Sequence, residues 1–479
     1  MDVETTTSVP AETGADTVCV GVFEGEDVAR DVQGGALGAL LDSGEARRAF
    51  KKLAVTHADG IRWILVGLGA RGDFDAERAR VAAAVAHGRA AEMGASVLCW
   101  ELPQQMDARE AGGFVEGTVL ASYRFDRYRQ DDESSERRLE RLIVSDPEDR
   151  SGAVEEAAIV AGAQNAAREL QDLPANALTP SALSDRAREL AGELEGLAAE
   201  AVGRDGIEEL GMGAFAAVAQ GSNEEPQLIT LRYEGPDADG PLLGFVGKAV
   251  TFDSGGISLK SAAKMHEMKF DMSGGAAVIE AVGAVARLGL PVRLVGVVGA
   301  TENLPGGGSV KPGDIVRAAD GTSIEVNNTD AEGRMVLADC LLHAVGEGAE
   351  RIVDLATLTG AIVVSLGSTY AGLLGSDDAW TGQVSEAATA TGELVWRLPL
   401  HPEYAEMIKG RYAEIVNATD ERKAMSITAA EFLRRFAGDV PWAHLDIAGT
   451  AWGLGRPYAS KGGSGFGVRL LVELARRAG

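Results

Sequence analysis

Three stretches of this chain place acidic residues directly after apolar, strand-like segments, and this arrangement constrains the fold most strongly. The stretches are GKAVTFDSGG (Gly247 to Gly256), MKFDMSGG (Met268 to Gly275) and VNNTDAEGRMVLAD (Val326 to Asp339). In a parallel α/β sheet, residues at the carboxyl ends of neighbouring strands converge on one crevice. We therefore expect the acids of the three stretches to lie together at one edge of such a sheet.

Strand and helix patterns alternate along the chain, as they do in α/β proteins. The patterns predict strands at 17–23, 61–69, 95–102, 242–251, 292–300, 323–326 and 351–355, and helices at 74–93, 154–170, 275–288 and 335–345. The predicted fold is α/β with two domains, each a mixed or mostly parallel sheet flanked by helices. The smaller domain spans 1–150, a connecting helix spans 151–172, and the larger domain spans 173–479. A charge-dense surface stretch begins at Asp126.

Charge and composition narrow the class of protein. Forty-five Lys and Arg residues against 72 Asp and Glu residues leave a formal net charge of −27. This charge repels phosphate backbones and anionic membrane surfaces, so nucleic acid is disfavoured as a partner. No run of about 18 apolar residues suggests a membrane span, and the acidic N-terminus does not resemble a signal peptide. The three scattered cysteines form no metal-binding spacing and are predicted to be core residues of a reduced, cytoplasmic protein.

Several common signatures are weak or absent. GLGARG (Gly67 to Gly72) has the GxGxxG spacing and Glu101 ends a later predicted strand, as in a dinucleotide-binding fingerprint. The spacing to Glu101 exceeds the roughly 20 residues expected for the acid that binds ribose, so we favour an ordinary glycine-rich loop. The sequence contains no phosphate-binding P-loop, no GxSxG nucleophile motif and no HExxH zinc motif.

The acids are best explained as metal ligands. Four carboxylates in one dry crevice, those of Asp253, Asp271, Asp330 and Glu332, would repel one another by several kcal/mol and would require cations. Two divalent ions about 3.5–4 Å apart, bridged by shared carboxylates, would account for all four acids. Each acid also has an ordinary interpretation, since Asp330 and Glu332 fit the start of a helix and the other two fit turns. The coincidence of all four beside lysines in apolar sequence favours a metal site.

The same strings resemble a known family. NNTDAEGR, together with GKAVTFDSGGISLK, MKFDMSGG and DLATLTGA (Asp354 to Ala361), resembles the cytosolic leucyl aminopeptidases of the M17 metallopeptidase family. The resemblance extends from about Leu173 to the C-terminus and is weaker before it. It implies a hydrolase of class EC 3.4.11.1 that removes leucine and other mainly apolar residues from the N-termini of peptides. It also implies a cytoplasmic homohexamer, with an N-terminal domain that serves assembly or regulation.

The resemblance assigns roles to individual residues. One metal ion would be held by Lys248, Asp253, Asp271 and Glu332, and the other by Asp253, Asp330 and Glu332. The ions would be Mn or Zn, with Mg as a further candidate. Lys260 and Arg334 match the catalytic residues, and Arg334 would hold a bicarbonate ion that acts as general base. The positions that match residues near the substrate are Met268, Asn328, Thr357 and Gly360.

Two alternatives remain at this point. A two-metal phosphoesterase would use similar carboxylates, although it gives no reason for a metal-binding lysine. A DNA-binding accessory protein of the same family is the second alternative, and the charge of −27 disfavours it. The loop 412–433 departs from the usual family pattern. Because it is far from the ligands in sequence, we expect it to affect side-chain preference or assembly rather than chemistry.

Overall fold

The computed structural model describes residues 1–32, 34–129 and 138–479, so the charge-dense stretch predicted from Asp126 lies partly outside the described residues. The described chain forms two compact units. The first comprises residues 1–165 and 455–460, and the second comprises residues 166–454 and 461–479. The predicted domain boundaries at 150 and 173 stay a prediction.

The first unit is built on a mostly parallel sheet. Its strands are β1 (Asp2–Thr6), β2 (Thr17–Phe23), β3 (Leu53–Ala58), β4 (Ile61–Gly69), β5 (Val97–Glu101) and β6 (Arg141–Ser145). Its helices are α1 (Ala36–Asp42), α2 (Ala76–Glu92), α3 (Ala108–Ala121) and the first part of α4 (Ser151–Asp172). The strand order is β1-β6-β5-β2-β4-β3, and among these strands β3 alone runs antiparallel to its neighbour.

Local sequence explains how the helices of this unit begin and pack. Asp75 caps the start of α2, and Asp107 forms a reciprocal capping pair with Glu110 at the start of α3. The two helices approach closely at Gly117, where an added Cβ would lie 2.1 Å from the backbone oxygen of Arg80. A larger residue at this position would therefore separate the helices.

The second unit contains a larger mixed sheet and a small separate one. Its strands are β7 (Leu197–Val202), β8 (Gln227–Glu234), β9 (Leu242–Asp253), β10 (Arg293–Asn303), β11 (Ile315–Arg317), β12 (Ser323–Glu325), β13 (Arg351–Ala356), β14 (Ala371–Gly375), β15 (Val395–Arg397), β16 (Ile415–Val416) and β17 (Trp442–Asp446). Its helices are α5 (Pro180–Glu193), α6 (Arg204–Glu209), α7 (Gly213–Ala219), α8 (Ser273–Arg287), α9 (Gly333–Gly346), α10 (Gly360–Leu366), α11 (Asp378–Thr391), α12 (Pro402–Met407), α13 (Met425–Ala437) and α14 (Val468–Ala478).

The order of the large sheet is β15-β14-β17-β13-β9-β10-β8-β7. Its centre, β17-β13-β9-β10, is parallel throughout, so the carboxyl ends of these four strands lie side by side. The small sheet has the order β11-β12-β16. Helix α8 is buried from Ser273 to Ala286, which explains why its residues there are apolar or small except Glu280, which pairs with Arg186.

The α/β fold class predicted from sequence is confirmed, but two details of the prediction are wrong. The apolar run before Asp271 is not a strand, because Met265–Met272 forms a 3-10 helix in which Phe270 and Met272 are buried. The segment before Asp330 is a strand, β12, but it belongs to the small sheet. Of the three acidic stretches, only the one that ends in Asp253 lies at the end of a strand of the large sheet.

All three cysteines, Cys19, Cys99 and Cys340, are free and buried, which confirms their prediction as core residues. Among the described residues, no helix combines the length and the apolar character needed to cross a membrane.

Candidate metal and catalytic centre

Four parallel strands of the second unit end beside one another at one edge of the large sheet. Strand β9 ends at Asp253, β10 at Asn303 and β17 at Asp446, and β13 is followed directly by Thr357. Because carboxyl ends of parallel strands share one edge, these residues form one wall of the candidate centre. The remaining residues arrive on the 3-10 helix Met265–Met272 and on the loop between β12 and α9.

Lys248 lies at the bottom of this centre, with 2 % of its surface exposed. Its Nζ lies 2.8 Å from Asp271 Oδ2 and 2.7 Å from Glu332 Oε1, and it donates to the backbone oxygen of Thr357 at 3.1 Å. Burial by itself would lower the pKa of Lys248, but the charges of Asp271 and Glu332 outweigh burial and hold the pKa above its ordinary value. One ammonium therefore joins two acids that are far apart in sequence.

Lys260 forms a second bridge at the opening of the centre. Its Nζ lies 2.6 Å from Asp253 Oδ2 and also contacts Asp330 Oδ1. Burial opposes the charged form of Lys260, yet Asp253, Glu332 and Asp330 together raise its pKa. Its side chain is 22 % exposed, against 3 % for Lys248, so the two lysines differ in their access to solvent.

The acids form a set of ligands that suits divalent cations. Asp253, Asp330 and Glu332 each offer one oxygen, and these atoms all lie within 4.8 Å of one another. Burial raises the pKa values of Asp271, Asp330 and Glu332, because partial removal from solvent disfavours their charged forms. Carboxylate oxygens are ligands for Mg, Mn and Zn ions, which would offset this cost. The donor set therefore fits the predicted cations.

Small and polar residues around the acids keep this geometry. The side chain of Asn303 donates to Asp253 Oδ1 at 2.9 Å and to the backbone oxygen of Thr329 at 3.0 Å. It thereby connects β9 with the loop before α9. A Cβ on Gly333 would lie 2.6 Å from Lys248 Nζ, so only glycine leaves room for the buried lysine. Sequence reasoning did not select Asn303, although a polar residue at the end of a strand was a signal for it.

Arg334 is the second residue of α9 and is buried, with 7 % of its surface exposed. Its Nη1 donates to the backbone oxygen of Asn417 at 2.8 Å, whereas its Nε is buried and has no hydrogen-bond partner among the described residues. Burial lowers the pKa of Arg334 to about 10. A buried guanidinium with an unused donor is a suitable place for a small anion.

Asn417 holds the loop that carries the acids. Its Oδ1 accepts from the backbone N–H groups of Asn327 and Asn328 at 2.8 and 3.2 Å. Its Nδ2 donates to the backbone oxygen of Asn328 at 2.7 Å, and the side chain is fully buried. The loop 412–433 therefore contacts Arg334 directly, although it is far from the acids in sequence. That it affects side-chain preference or assembly rather than chemistry stays a prediction. Distance along the sequence did not indicate distance in the fold.

The loop after β13 completes the wall. The Thr357 hydroxyl donates to Asp271 Oδ1 at 2.7 Å. Asp446 holds the next residues of this loop, accepting from the Leu358 and Thr359 N–H groups at 3.1 and 3.3 Å and from the Thr359 hydroxyl at 2.6 Å. Asp446 was not selected from the sequence. Its position at the end of β17, beside β13, explains how it reaches the loop.

The four residues predicted near the substrate occupy different places. Thr357 contacts the centre through Asp271. Asn328 lies in the acidic loop, where its Oδ1 accepts from the Asp330 N–H at 3.0 Å. Met268 lies in the 3-10 helix that carries Asp271, and Gly360 is the first residue of α10. Their substrate-binding roles stay predictions, as do the metal-binding and catalytic roles of the other residues.

Comparison with known proteins agrees with this geometry. The family model described as cytosol aminopeptidase family, catalytic domain, matches residues 165–472, and the model of the N-terminal domain of that family matches residues 20–132. Relatives from Roseiflexus castenholzii and Solibacter usitatus, each named a probable cytosol aminopeptidase, are both 43 % identical to this chain. The alignments cover 99 % of both chains for the first and 96 % of both chains for the second.

Solved structures give the same result. The bottromycin maturation enzyme BotP in complex with Mn has a TM-score of 0.88 and 39 % sequence identity, covering 97 % of this chain and 99 % of that chain. The two matched family models and the similarity over the full length of the relatives assign the chain to one family. The chain belongs to the M17 cytosol aminopeptidase family of metal-dependent aminopeptidases.

Proposed function

We propose that this protein is a leucyl aminopeptidase, which removes leucine and other mainly apolar residues from the N-termini of peptides. The observation that carries the proposal is the convergence of Asp253, Asp330 and Glu332, whose oxygens lie within 4.8 Å of one another beside the buried Lys248 and the partly exposed Lys260. A phosphoesterase would need similar acids, but no feature of the described residues favours it. None favours DNA binding either.

The donor set supports two divalent ions per chain, Mn or Zn or else Mg. Lys248, Asp253, Asp271 and Glu332 would hold one ion, and Asp253, Asp330 and Glu332 would hold the other. When bound, such ions polarise a peptide carbonyl, lower the pKa of water and accept a free α-amine, which is the chemistry that an exopeptidase needs. Lys248 would act as a ligand only as a neutral amine, so it would have to give up its proton.

Lys260 is the residue that stabilises the charge developing on the carbonyl oxygen. Its ammonium group is held in place by Asp253 and Asp330 and is partly accessible, as a donor to substrate must be. Because these contacts fix the side chain before the reaction, little reorganisation is needed during the reaction. Thr357 keeps Asp271 oriented, and Asp446 keeps the loop after Thr357 in place.

Arg334 does not serve as a base, because guanidinium stays protonated near neutral pH. The unpartnered Nε of Arg334 supports the alternative that this side chain holds a bicarbonate ion, which would supply the general base. Asn417 accepts from Nη1 of the same guanidinium and thereby sets its orientation. Replacing bicarbonate by another buffer anion should reduce kcat, and restoring it should recover kcat.

Metal removal tests the proposed function. We expect the purified protein to contain two divalent ions per chain, to lose hydrolysis of leucyl amide on chelation, and to regain it with Mn or Zn. A phosphate ester offered to the same preparation should remain unhydrolysed. Full peptidase activity in protein shown by elemental analysis to lack metal would contradict the proposal.

We also propose that the chain forms a homohexamer, which rests on the family resemblance alone. Light scattering at working concentration should give the mass of six chains. A monomer with full activity would rule out a role for assembly in catalysis.

A further inference from the structure

The first unit carries two adjoining hollows at the carboxyl edge of its sheet. The larger, about 300 Å³, is lined by residues that include Val22, Phe23, Arg71 and Pro103. The smaller, about 60 Å³, is lined by residues that include Arg30, Glu101, Leu102 and Ser145. Ala29 and Gln104 line both hollows, so the two adjoin, and we treat them as one cleft. We refer to it as the edge cleft.

The edge cleft lies where the topology of the sheet reverses. From β2 the chain continues to β4 on one side, and then crosses to β5 and β6 on the other side of β2. Strands β2 and β5 are parallel neighbours, and the cleft lies beyond their carboxyl ends. In open α/β sheets this position is where ligands characteristically bind, because the loops on the two sides diverge.

Glu101, the last residue of β5, is the least satisfied charged group in the edge cleft. Its side chain is only 14 % exposed, and its nearest cation, Arg30 Nε, is 3.9 Å away. No hydrogen bond to its carboxylate occurs among the described residues. Burial raises the pKa of Glu101, and Arg30 only partly opposes this. A nearly buried carboxylate without a donor is costly, and a ligand with N–H groups would satisfy it.

The two arginines of the edge cleft differ in their freedom. Arg71 is held by three partners. Its Nε and Nη2 each donate to an oxygen of Glu26 at 2.7 Å, and its Nη1 donates to the Gln104 backbone oxygen at 3.1 Å. Its guanidinium also stacks on Phe23, 4.0 Å from the ring centre. Arg30 has a half-exposed side chain and, within the described part of the chain, only the loose contact with Glu101. Arg30 is therefore available to an anionic group.

The glycines of GLGARG do not build a nucleotide site here. Gly67 lies inside β4, and its missing Cβ would collide with the backbone oxygen of Ala49 at 2.2 Å. The glycine therefore serves close packing of the chain. Helix α2 starts only at Ala76, after a separate 3-10 turn at Arg71–Asp73, so no helix N-terminus follows the last glycine of the motif. The arrangement that binds a pyrophosphate is absent from this described segment.

We propose that the edge cleft binds a free α-amino acid. Its ammonium group donates to Glu101, its carboxylate accepts from Arg30, and its side chain enters the larger hollow, which Glu26, Gln104 and Gln105 also line. The opposite charges of Glu101 and Arg30 match the two charges of a zwitterion. The volume of about 300 Å³ lies at the lower end for ligand pockets and suits a molecule of this size.

The test is hydrogen–deuterium exchange on the full chain with L-leucine as the probe. We expect slower exchange in peptides covering 21–30 and 101–105. Isopentylamine, which lacks the carboxylate, and 4-methylpentanoate, which lacks the ammonium, should each give no protection there at the same concentration. Peptides covering 253–260 and 327–334 report separately on the catalytic centre. If the protein proves not to be an aminopeptidase, the slower exchange expected at 21–30 and 101–105 should still be observed.

Two variants make the assignment specific. Glu101→Gln keeps the shape of the side chain and should weaken protection by L-leucine at least about tenfold, because a charged hydrogen bond is lost. Asp27→Asn removes a charge that lines the same cleft but pairs with Arg48, and should leave protection unchanged. Three results would each overturn the proposal. The first is no protection by L-leucine in the unmodified protein, and the second is equal protection in Glu101→Gln. The third is protection of the same peptides by NAD but not by L-leucine.

Discussion

Lys248 Nζ lies 2.7 Å from Glu332 Oε1, and the residue next to Glu332 is a glycine that leaves space for this contact. Lys260 contacts a different pair of acids, Asp253 and Asp330. The two lysines therefore bridge separate parts of one acidic centre. This difference in position leads to different expectations for their replacement.

Replacing Lys248 by Ala should reduce metal occupancy from two ions to about one per chain, because the proposed ligand is lost. Excess metal should restore part of the activity. Elemental analysis of the dialysed variant, beside kcat at increasing Mn concentration, measures both effects. Two tightly bound ions in this variant would contradict the role of Lys248 as a ligand.

Replacing Lys260 by Ala should leave both ions bound but lower kcat by roughly 10²–10³, the cost of removing one donor to a developing oxyanion. Metal analysis and steady-state kinetics on the same preparation decide the matter. If Lys260→Ala loses an ion while Lys248→Ala keeps both, the two roles are reversed.

Replacing Gly333 by Ala should displace Lys248. The new Cβ would lie 2.6 to 2.8 Å from three side-chain atoms of Lys248, so the lysine has to move in a packed interior. We expect a loss of about 1–3 kcal/mol in stability and weaker binding of one metal ion. Thermal unfolding and metal titration measure these effects.

Gly346→Ala, in the last turn of the same helix, is the matched control. An added Cβ there meets nothing within 4 Å. It should leave metal binding unchanged and alter stability by less than about 1 kcal/mol. Equal behaviour of the two variants would show that the contact between Gly333 and Lys248 is unimportant.

Replacing Asn417 by Ala should loosen the loop that carries Asp330 and Glu332. The N–H groups of Asn327 and Asn328 would lose their acceptor, which costs about 1–3 kcal/mol. A small displacement of the reacting groups should lower kcat on the order of 10- to 100-fold. Asp420→Ala, at an exposed position of the same loop, should change neither quantity appreciably. Unchanged kcat in Asn417→Ala would show that the loop keeps its geometry without this side chain.

The buried pair of His444 and Asp354 should make stability depend on pH. The two side chains lie 2.6 Å apart, and although burial opposes the charged imidazole, Asp354 outweighs it and raises the pKa of His444. The folded state therefore holds the proton more tightly than the unfolded state does. The stabilisation is fully present below the ordinary histidine pKa of about 6.5 and is lost as pH rises through the higher pKa of the folded state.

His444→Phe tests this dependence. The difference in thermal midpoint between the unmodified protein and the variant should be larger at pH 6 than at pH 9. The exposed His57, replaced by Gln, serves as a control and should shift the midpoint little at either pH. A difference for His444→Phe that grows with pH would contradict the assignment.

The sequence alone was sufficient to predict the α/β class and to select the acids. Lys248 and Asp253 could be recognised in the sequence because they lie on one long apolar strand. Asp330 and Glu332 could be recognised because their motif is distinctive. Asp271 lies beside Lys248, as the expected convergence requires. The expected strand before it was wrong, since a short apolar segment does not distinguish a strand from a turn of 3-10 helix.

Asn417 and Asp446 could not be predicted in the same way. Each acts through backbone groups of a distant segment, and a contact between a side chain and a distant backbone leaves no pattern in residue types. Asn303 was an intermediate case, because its position at the end of β10 could be inferred but not its link to Thr329.

The order in which these residues occur along the chain has a consequence for biosynthesis. Lys248 and the acids are translated first, whereas Asn417, which accepts from Arg334, and Asp446, which holds the loop after Thr357, come near the C-terminal end. A ribosome-bound chain that ends before Asn417 contains every proposed metal ligand, together with Asn303 and Thr357, but lacks Asn417 and Asp446. The loop that carries Asp330 and Glu332 therefore gains its contacts with Asn417 only after every proposed metal ligand has been synthesised.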